Sequence, residues 1–245
     1  MKNRMVVAAA VTAMSFLAGI AIANYSPAGS WDIVRVVRHA IAARFARPLP
    51  RASSVRPAFV SLPYGQGEYF PKNVFQDDSW GDQFLASWYA HELEVLEEPS
   101  LLEMAKNPVC ESYRFLWLRT FHNPVAVRLD VRDDGIGVIT TKVASGASGF
   151  PRKDVHLIES MSRPLTPDET RAFLLQVGKG SFWSLASHVE DRTGMDGSEW
   201  IIEGAKDGKY HVVTRWSPDE GEIHELGLVM AFGMAQMSVP KEDIY

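Results

Sequence analysis

The stretch DGSEWIIEGAKDGKYHVVTRWSPDEGEIHEL, residues 196–226, brings Trp200, Trp216, His211, Arg215 and several carboxylates into 31 residues. An imidazole can move a proton near neutral pH, a carboxylate can orient it, and an arginine beside an indole can hold a planar or anionic ligand. Two kinds of chemistry are therefore open. One is binding. The other is hydrolysis with His211 paired to Glu203 or Asp196. The supporting elements bear on the choice. EWIIEG and KYHVVTRW flank Lys206-Asp207-Gly208, the pattern of a hairpin closed by a two-residue turn. In that register Gly204 faces His211, Glu203 faces Val212 and Trp200 faces Arg215. His211, Val213 and Arg215 then share a sheet face with Trp200, Ile202 and Gly204. Trp200 and Arg215 are placed for a cation–π pair, and Gly204 leaves space beside His211. Glu203 points the other way, although a one-residue slip would reverse that. The candidate binding residues are Arg119, His122, Trp200, His211 and Arg215. No residue is assigned as catalytic.

Other chemistries find less support. The seven histidines, at 39, 91, 122, 156, 188, 211 and 224, form no metal-binding spacing with one another or with a cysteine pair, and HELEV at 91–95 is not the HExxH pattern. Asp191-Arg192-Thr193-Gly194-Met195-Asp196-Gly197 is a poor calcium loop, because Met195 and the glycine positions break it. SGASGF at 145–150 lacks the strand-to-helix setting of a nucleophile elbow. Gly178-Lys179-Gly180-Ser181 lacks the spacing of a phosphate loop. Cys110 is the single cysteine, which rules out an intramolecular disulfide, and it reads as a buried structural thiol. Neither metal nor cofactor is expected.

Along the chain, Ser30 opens a helix that runs to about Ala46, and prolines and glycines from 48 to 76 block regular structure. A helix over 79–96 follows, with Phe84, Trp88 and Leu93 to Leu96 inside and Glu92, Glu94, Glu97 and Glu98 outside, stopped by Pro99. Ser100-Leu101-Leu102-Glu103 is a capping box. From 113 the pattern turns to strands, broken at His122-Asn123-Pro124 and Asp134-Gly135, with a fourth strand in DVHLIESM. Thr166-Pro167-Asp168-Glu169 opens a helix reaching about Val177, and Ser217-Pro218-Asp219-Glu220 has the form of a second such start. The fold class is α+β: an antiparallel sheet built of hairpins with helices on one face, preceded by a hydrophobic segment and helices. The echo of hairpin and helix suggests two similar halves. The boundaries are 1–23 for the hydrophobic segment, 24–56 for an arginine-rich arm, 57–76 for a linker, 77–109 for a helical segment and 110–240 for the α+β domain.

The 245-residue chain begins with Lys2 and Arg4, followed by 19 uncharged residues, 5–23, that end in Ala21-Ile22-Ala23. This fits a secretory signal cleaved after Ala23, leaving a periplasmic protein. An uncleaved anchor in the inner membrane is the close competitor. The overall charge of −5 is unevenly spread. Residues 24–56 hold six arginines against Asp32, a net of +5, whereas residues 57–245 carry a net of −12. Arg35, Arg38, Arg44 and Arg47 could meet an anionic membrane surface, or the arm could dock on the acidic body. Nucleic acid is not an expected partner, because the body would repel phosphate.

The blocks CESYRFLWLRTFHNPVAVRL (110–129) and DGSEWIIEGAKDGKYHVVTRWSP (196–218), with FWSL at 182–185, resemble a group of bacterial proteins with exported N-termini and no assigned activity. The likeness spans roughly residues 85–235 and implies export, but neither catalysis nor a partner. The combined expectation is an envelope protein carrying a non-enzymatic binding or structural domain. A small molecule or another envelope protein would be its partner.

Overall fold

A computed structural model describes residues 67–148, 154–189, 194 and 196–245. The expectations for the segment 5–23, for the arm with Arg35, Arg38, Arg44 and Arg47, and for most of the calcium-like loop lie outside these residues. No helix among the described residues is long and apolar enough to cross a membrane.

Six strands form one antiparallel sheet: β1 (Glu111–Arg119), β2 (Val125–Val131), β3 (Gly137–Ala144), β4 (Leu157–Pro164), β5 (Ser198–Lys206) and β6 (Lys209–Trp216). Their spatial order is β4-β3-β2-β1-β5-β6, so β1 lies between β2 and β5 near the middle. The α+β class holds. Helix α1 (Ser79–Val95) and the short α2 (Leu101–Met104) precede the sheet. Helix α3 (Pro167–Lys179) follows β4, and α4 (Glu222–Leu228) follows β6 and runs on into a π-helical turn, Val229–Met234.

Alternation along the strands sorts the core into two layers. Tyr113, Phe115 and Trp117 of β1 share a face with Trp200 and Ile202 of β5. Helices α3 and α4 cover that face: Phe173 packs edge-on against Tyr113, with ring centroids 5.4 Å apart. Gly227 lets α4 approach so closely that a Cβ there would lie 2.5 Å from the Trp200 ring. Helices within the 110–240 segment therefore do lie on one face. The opposite face is covered by α1 and its lead-in, with Tyr69, Phe70, Phe75, Tyr89, Leu93 and Leu96 packed on Leu116, Leu118, Ala126, Ile201 and Val212.

Two local expectations need correction. In α1 the buried stripe is Tyr89, Glu92 and Leu93, continued by Leu96, while Phe84 is 56% exposed and stacks outside on Trp80. Glu92 and Glu98, expected outside, are buried. The helix stops before Pro99, in a Schellman arrangement in which Glu97 takes a left-handed φ of 54°, Glu97 N donates to Glu94 O, and Glu98 N donates to Leu93 O. That turn drives Glu98 inward. The second correction concerns Ser217. It has φ 40°, and its hydroxyl accepts from Ser198 N at 2.9 Å, so it is not free to cap. Helix α4 starts instead after Gly221, without a side-chain cap. By contrast Thr166 forms the full capping box with Glu169. The two proposed halves also differ: four strands precede α3 and two precede α4.

The sheet edges differ as well. Beside β6, Thr214 N donates to Ser187 O, so the preceding loop covers that strand. On the other side β4 is exposed or half-exposed along its length.

Candidate functional site

The β5–β6 hairpin has the expected register, with Gly204 opposite His211, Glu203 opposite Val212 and Trp200 opposite Arg215. Its turn is made by Asp207 and Gly208 with φ of 52° and 75°, the conformation that Asp-Gly accepts most readily. The nominated residues, however, separate into three places.

At the turn end, His211 stands beside the short helical turn Phe182–Ser184. The space left by Gly204 is filled, because a Cβ there would meet Phe182 at 2.8 Å and Trp183 at 3.1 Å. The His211 ring lies edge-on to Phe182 at 5.3 Å and tilted to Trp183 at 6.3 Å. Burial holds its pKa below the usual histidine value, with the carbonyls of Leu185 and Phe182 opposing, so the ring is neutral near pH 7. Here a cleft of about 560 Å³ opens between the end of α3 and the hairpin. Tyr113 and Val177 form its floor, Trp183 and His211 stand at its walls, and Lys206 and Lys209 lie at the rim. Tyr113 donates its hydroxyl hydrogen to Glu111 at 2.9 Å, and Lys206 donates to the same carboxylate oxygen at 2.7 Å. Burial and the Glu111 charge push the Tyr113 phenol far up, so it stays protonated. Trp183 and Tyr113 belong to the cleft although the sequence reading did not nominate them. The FWSL block marked Trp183, but nothing in the sequence placed it beside His211.

At the opposite end Arg119, His122 and Trp200 do come together. The Arg119 guanidinium lies over Trp117, with Cζ 4.1 Å from the ring centroid. Trp200 is buried in aromatic company, 4.9 Å from Phe115 and 5.5 Å from both Trp117 and His224. The polar edges of all three residues meet the segment Lys241–Tyr245. Arg119 donates to Asp243 O at 3.2 Å, and Trp200 Nε1 donates to Tyr245 O at 3.0 Å. His122 reaches the Tyr245 hydroxyl at 3.0 Å and the Asp243 carboxylate at 3.3 Å.

Arg215 lies on neither site. Its guanidinium donates to the carbonyls of Ala186, at 3.1 Å, and Thr214, at 2.6 Å, and so ties the 186–187 loop to β6.

The carboxylates considered for catalysis are also displaced from His211. Glu203 is on the other sheet face, fully buried, where Arg114 donates to it at 2.7 Å and Tyr210 at 2.9 Å. Asp196 precedes Ser198 at the far end of β5, about 20 Å from Gly204 and its neighbour His211 at strand rise. Neither can orient the imidazole.

Glu203 belongs instead to a buried ionic network that sequence reasoning missed. Arg128 Nε is 2.9 Å from Glu98, Arg128 Nη1 is 2.8 Å from Asp130, and Lys142 Nζ is 3.1 Å from Glu98. Arg114 also donates to Pro99 O at 2.6 Å. Three cations and three carboxylates thus neutralise one another, with Arg114, Glu98 and Glu203 sealed from solvent and Lys142 at the edge. Burial would raise the Glu98 pKa, but Arg128, Lys142 and Arg114 bring it below the ordinary carboxylate value. Burial outweighs Arg114 at Glu203 and raises its pKa. The alternation of charged Arg114, Arg128 and Asp130 with apolar neighbours reads in sequence as a solvated face. Only the arrival of α1 turns that face inward.

Among the described residues no group of three or more His, Cys, Asp or Glu side chains could hold a metal. Cys110 is buried, and burial pushes its thiol up to about 11, so it is an unreactive thiol. No protein-family model matches the chain, and no curated protein matches it in sequence.

Proposed function

We propose that the protein is a non-enzymatic binding protein of the bacterial cell envelope, and that its folded domain takes a small ligand with a flat apolar body and an anionic group. One observation carries the binding reading. Tyr113, Trp183 and His211, from three separate segments, converge on a cleft of about 560 Å³ with lysines at its rim. That volume lies in the range of small-molecule sites, and aromatic walls with a few polar groups are their usual lining. Trp183 would stack on the planar part, the neutral His211 would meet its edge, and Lys209 would meet the charge. The envelope assignment rests on residues 5–23 and on the resemblance of the two sequence blocks. It covers both a released and an anchored form, with Arg35, Arg38, Arg44 and Arg47 toward anionic lipid in the latter.

The test is a thermal-shift titration with indole-3-acetate and 1-anilinonaphthalene-8-sulfonate. A ligand at ten times its dissociation constant adds about 1.4 kcal/mol, on the order of 3–5 °C in Tm. The shift should disappear in Trp183→Ala. A shift retained in that variant would place the ligand elsewhere, and no shift with either compound would remove the support for this ligand class.

A further inference from the structure

Strand β4 ends the sheet, and its outer side has no neighbouring strand among the described residues. Leu165 N donates to Gly137 O at 2.8 Å, in the register that pairs Arg163 with Ile139 and Met161 with Thr141. In an antiparallel ladder every second residue bonds the same neighbour, so Glu159, Met161 and Arg163 turn their backbone groups toward β3. Ser160 and Ser162 turn theirs outward, where no described residue bonds to them. Residues 158–162 and Pro164 are exposed, and the apolar side chains Ile158 and Met161 stand on this edge. The opposite edge is not equivalent, because Thr214 N of β6 donates to Ser187 O.

The order of side chains along this edge is self-complementary. Residues 158–164 read Ile-Glu-Ser-Met-Ser-Arg-Pro. Reversed about Met161, Ser160 falls on Ser162, Ile158 on Pro164 and Glu159 on Arg163, so apolar meets apolar and each charge meets its opposite. A like strand laid antiparallel with a two-fold axis at Met161 reproduces that reversal. Ser160 then exchanges both backbone bonds with Ser162 of the second copy, and Met161 faces Met161 in a close, non-hydrogen-bonded pair. Glu159 and Arg163 project on one face of the sheet. Arg163 holds Met234 O and Glu169 through Nε and Nη2 at 2.6 to 2.9 Å, whereas its Nη1 has only contacts of 3.4 and 3.5 Å. Nη1 is therefore the nitrogen left for Glu159 of the second copy. Moving the axis to Ser160 or to Ser162 sets Met161 opposite a charge and leaves both ion pairs unmade.

We propose that residues 158–164 of β4 are a homodimer interface, at which a second copy of this chain adds its own β4 antiparallel about Met161 and joins two six-stranded sheets into one. The second copy is singled out because its edge supplies the mirror order that this edge needs. A two-fold pairing uses both edges at once and closes at the dimer. The interface is separate from the cleft at His211 and does not rest on its ligand.

The test is position-specific cross-linking of the full chain in a non-ionic detergent. On the axis, Met161→Cys brings two sulfurs within disulfide reach, because the Cα atoms of a non-hydrogen-bonded pair lie about 4.5 Å apart. Glu159→Cys lies on the same face of the strand but four residues out of step with its own copy, a separation of about 14 Å. Oxidation with copper phenanthroline should convert most of the Met161→Cys chain and little of the Glu159→Cys chain to a disulfide-linked dimer on a non-reducing gel. Cys110 is buried, and the unaltered chain serves as the blank. Equal cross-linking at the two positions is the mark of random collision and would overturn the proposal, as would none at position 161. A second measurement needs no cysteine variant. Sedimentation of the unaltered chain should show a concentration-dependent dimer, and Glu159→Lys, which sets like charges opposite each other twice, should weaken it about tenfold. A chain that stays monomeric at every concentration, or a dimer that Glu159→Lys leaves unchanged, would overturn the proposal.

Discussion

The two faces of β1 are built on different physics. From one side Tyr113, Phe115 and Trp117 project into an aromatic layer under α3 and α4. From the other, Arg114 enters a charge network shared with Glu98, Arg128 and Glu203, beside Leu116 and Leu118. The aromatic side is held by area and shape, which degrade gradually when trimmed. The ionic side is held by mutual neutralisation, in which each member is stable only while its partners remain. A single strand therefore has one interior that tolerates change and one that does not.

The largest expected effect breaks the ionic side. Arg114→Met leaves Glu203 and Glu98 short of a cation in a dry site and should cost about 3–5 kcal/mol in urea unfolding. Arg114→Met with Glu203→Leu should recover much of that loss. If the single and double variants are equally destabilised, the network is not acting through charge. A smaller effect sharpens the aromatic side. Gly227→Ala introduces a Cβ against Trp200 and should cost about 1–3 kcal/mol through overpacking. A neutral or stabilising result would mean that α4 can shift away from the sheet freely. The smallest effect is a pH dependence on the aromatic face. Burial holds His211 and His224 below the ordinary histidine pKa. As pH falls from about 7.5 to about 5.5 the unfolded chain takes up protons first, so stability present above the unfolded value is lost. His211→Gln should show a flatter Tm-against-pH slope than the parent protein over that window, and identical slopes would remove His211 as a contributor.

Elements whose signal is local were readable in the sequence. The Asp-Gly turn set the hairpin register, Thr166 and Glu169 set the start of α3, and the run from Tyr113 to Ala144 set three strands. What failed depended on distant partners. Ser217 has the look of a cap, yet its hydroxyl belongs to Ser198 across the hairpin. Glu98 has the look of a surface charge, yet a left-handed Glu97 turns it into the core. The nominated site shows the same division. Placing Trp200 and His211 on one face needed only alternation. Seeing that Trp183 closes the cleft, and that Lys241–Tyr245 covers Arg119, His122 and Trp200, required tertiary structure.

The edge strand β4 has a consequence for how copies of this protein meet. Its solvent-facing residues are Glu159, Ser160 and Ser162 together with the apolar Ile158 and Met161, 53% and 55% exposed, and it ends in Arg163 and Pro164. Pro164 offers no amide to a neighbouring strand, but Glu159 and Arg163 are opposite in sign and do not repel a like chain, and exposed apolar residues on an edge favour pairing. With β6 tied to the 186–187 loop by Thr214 N, β4 is the edge on which a second molecule could extend the sheet. Self-association in a crowded solution would therefore run through β4, and Met161→Lys should suppress it.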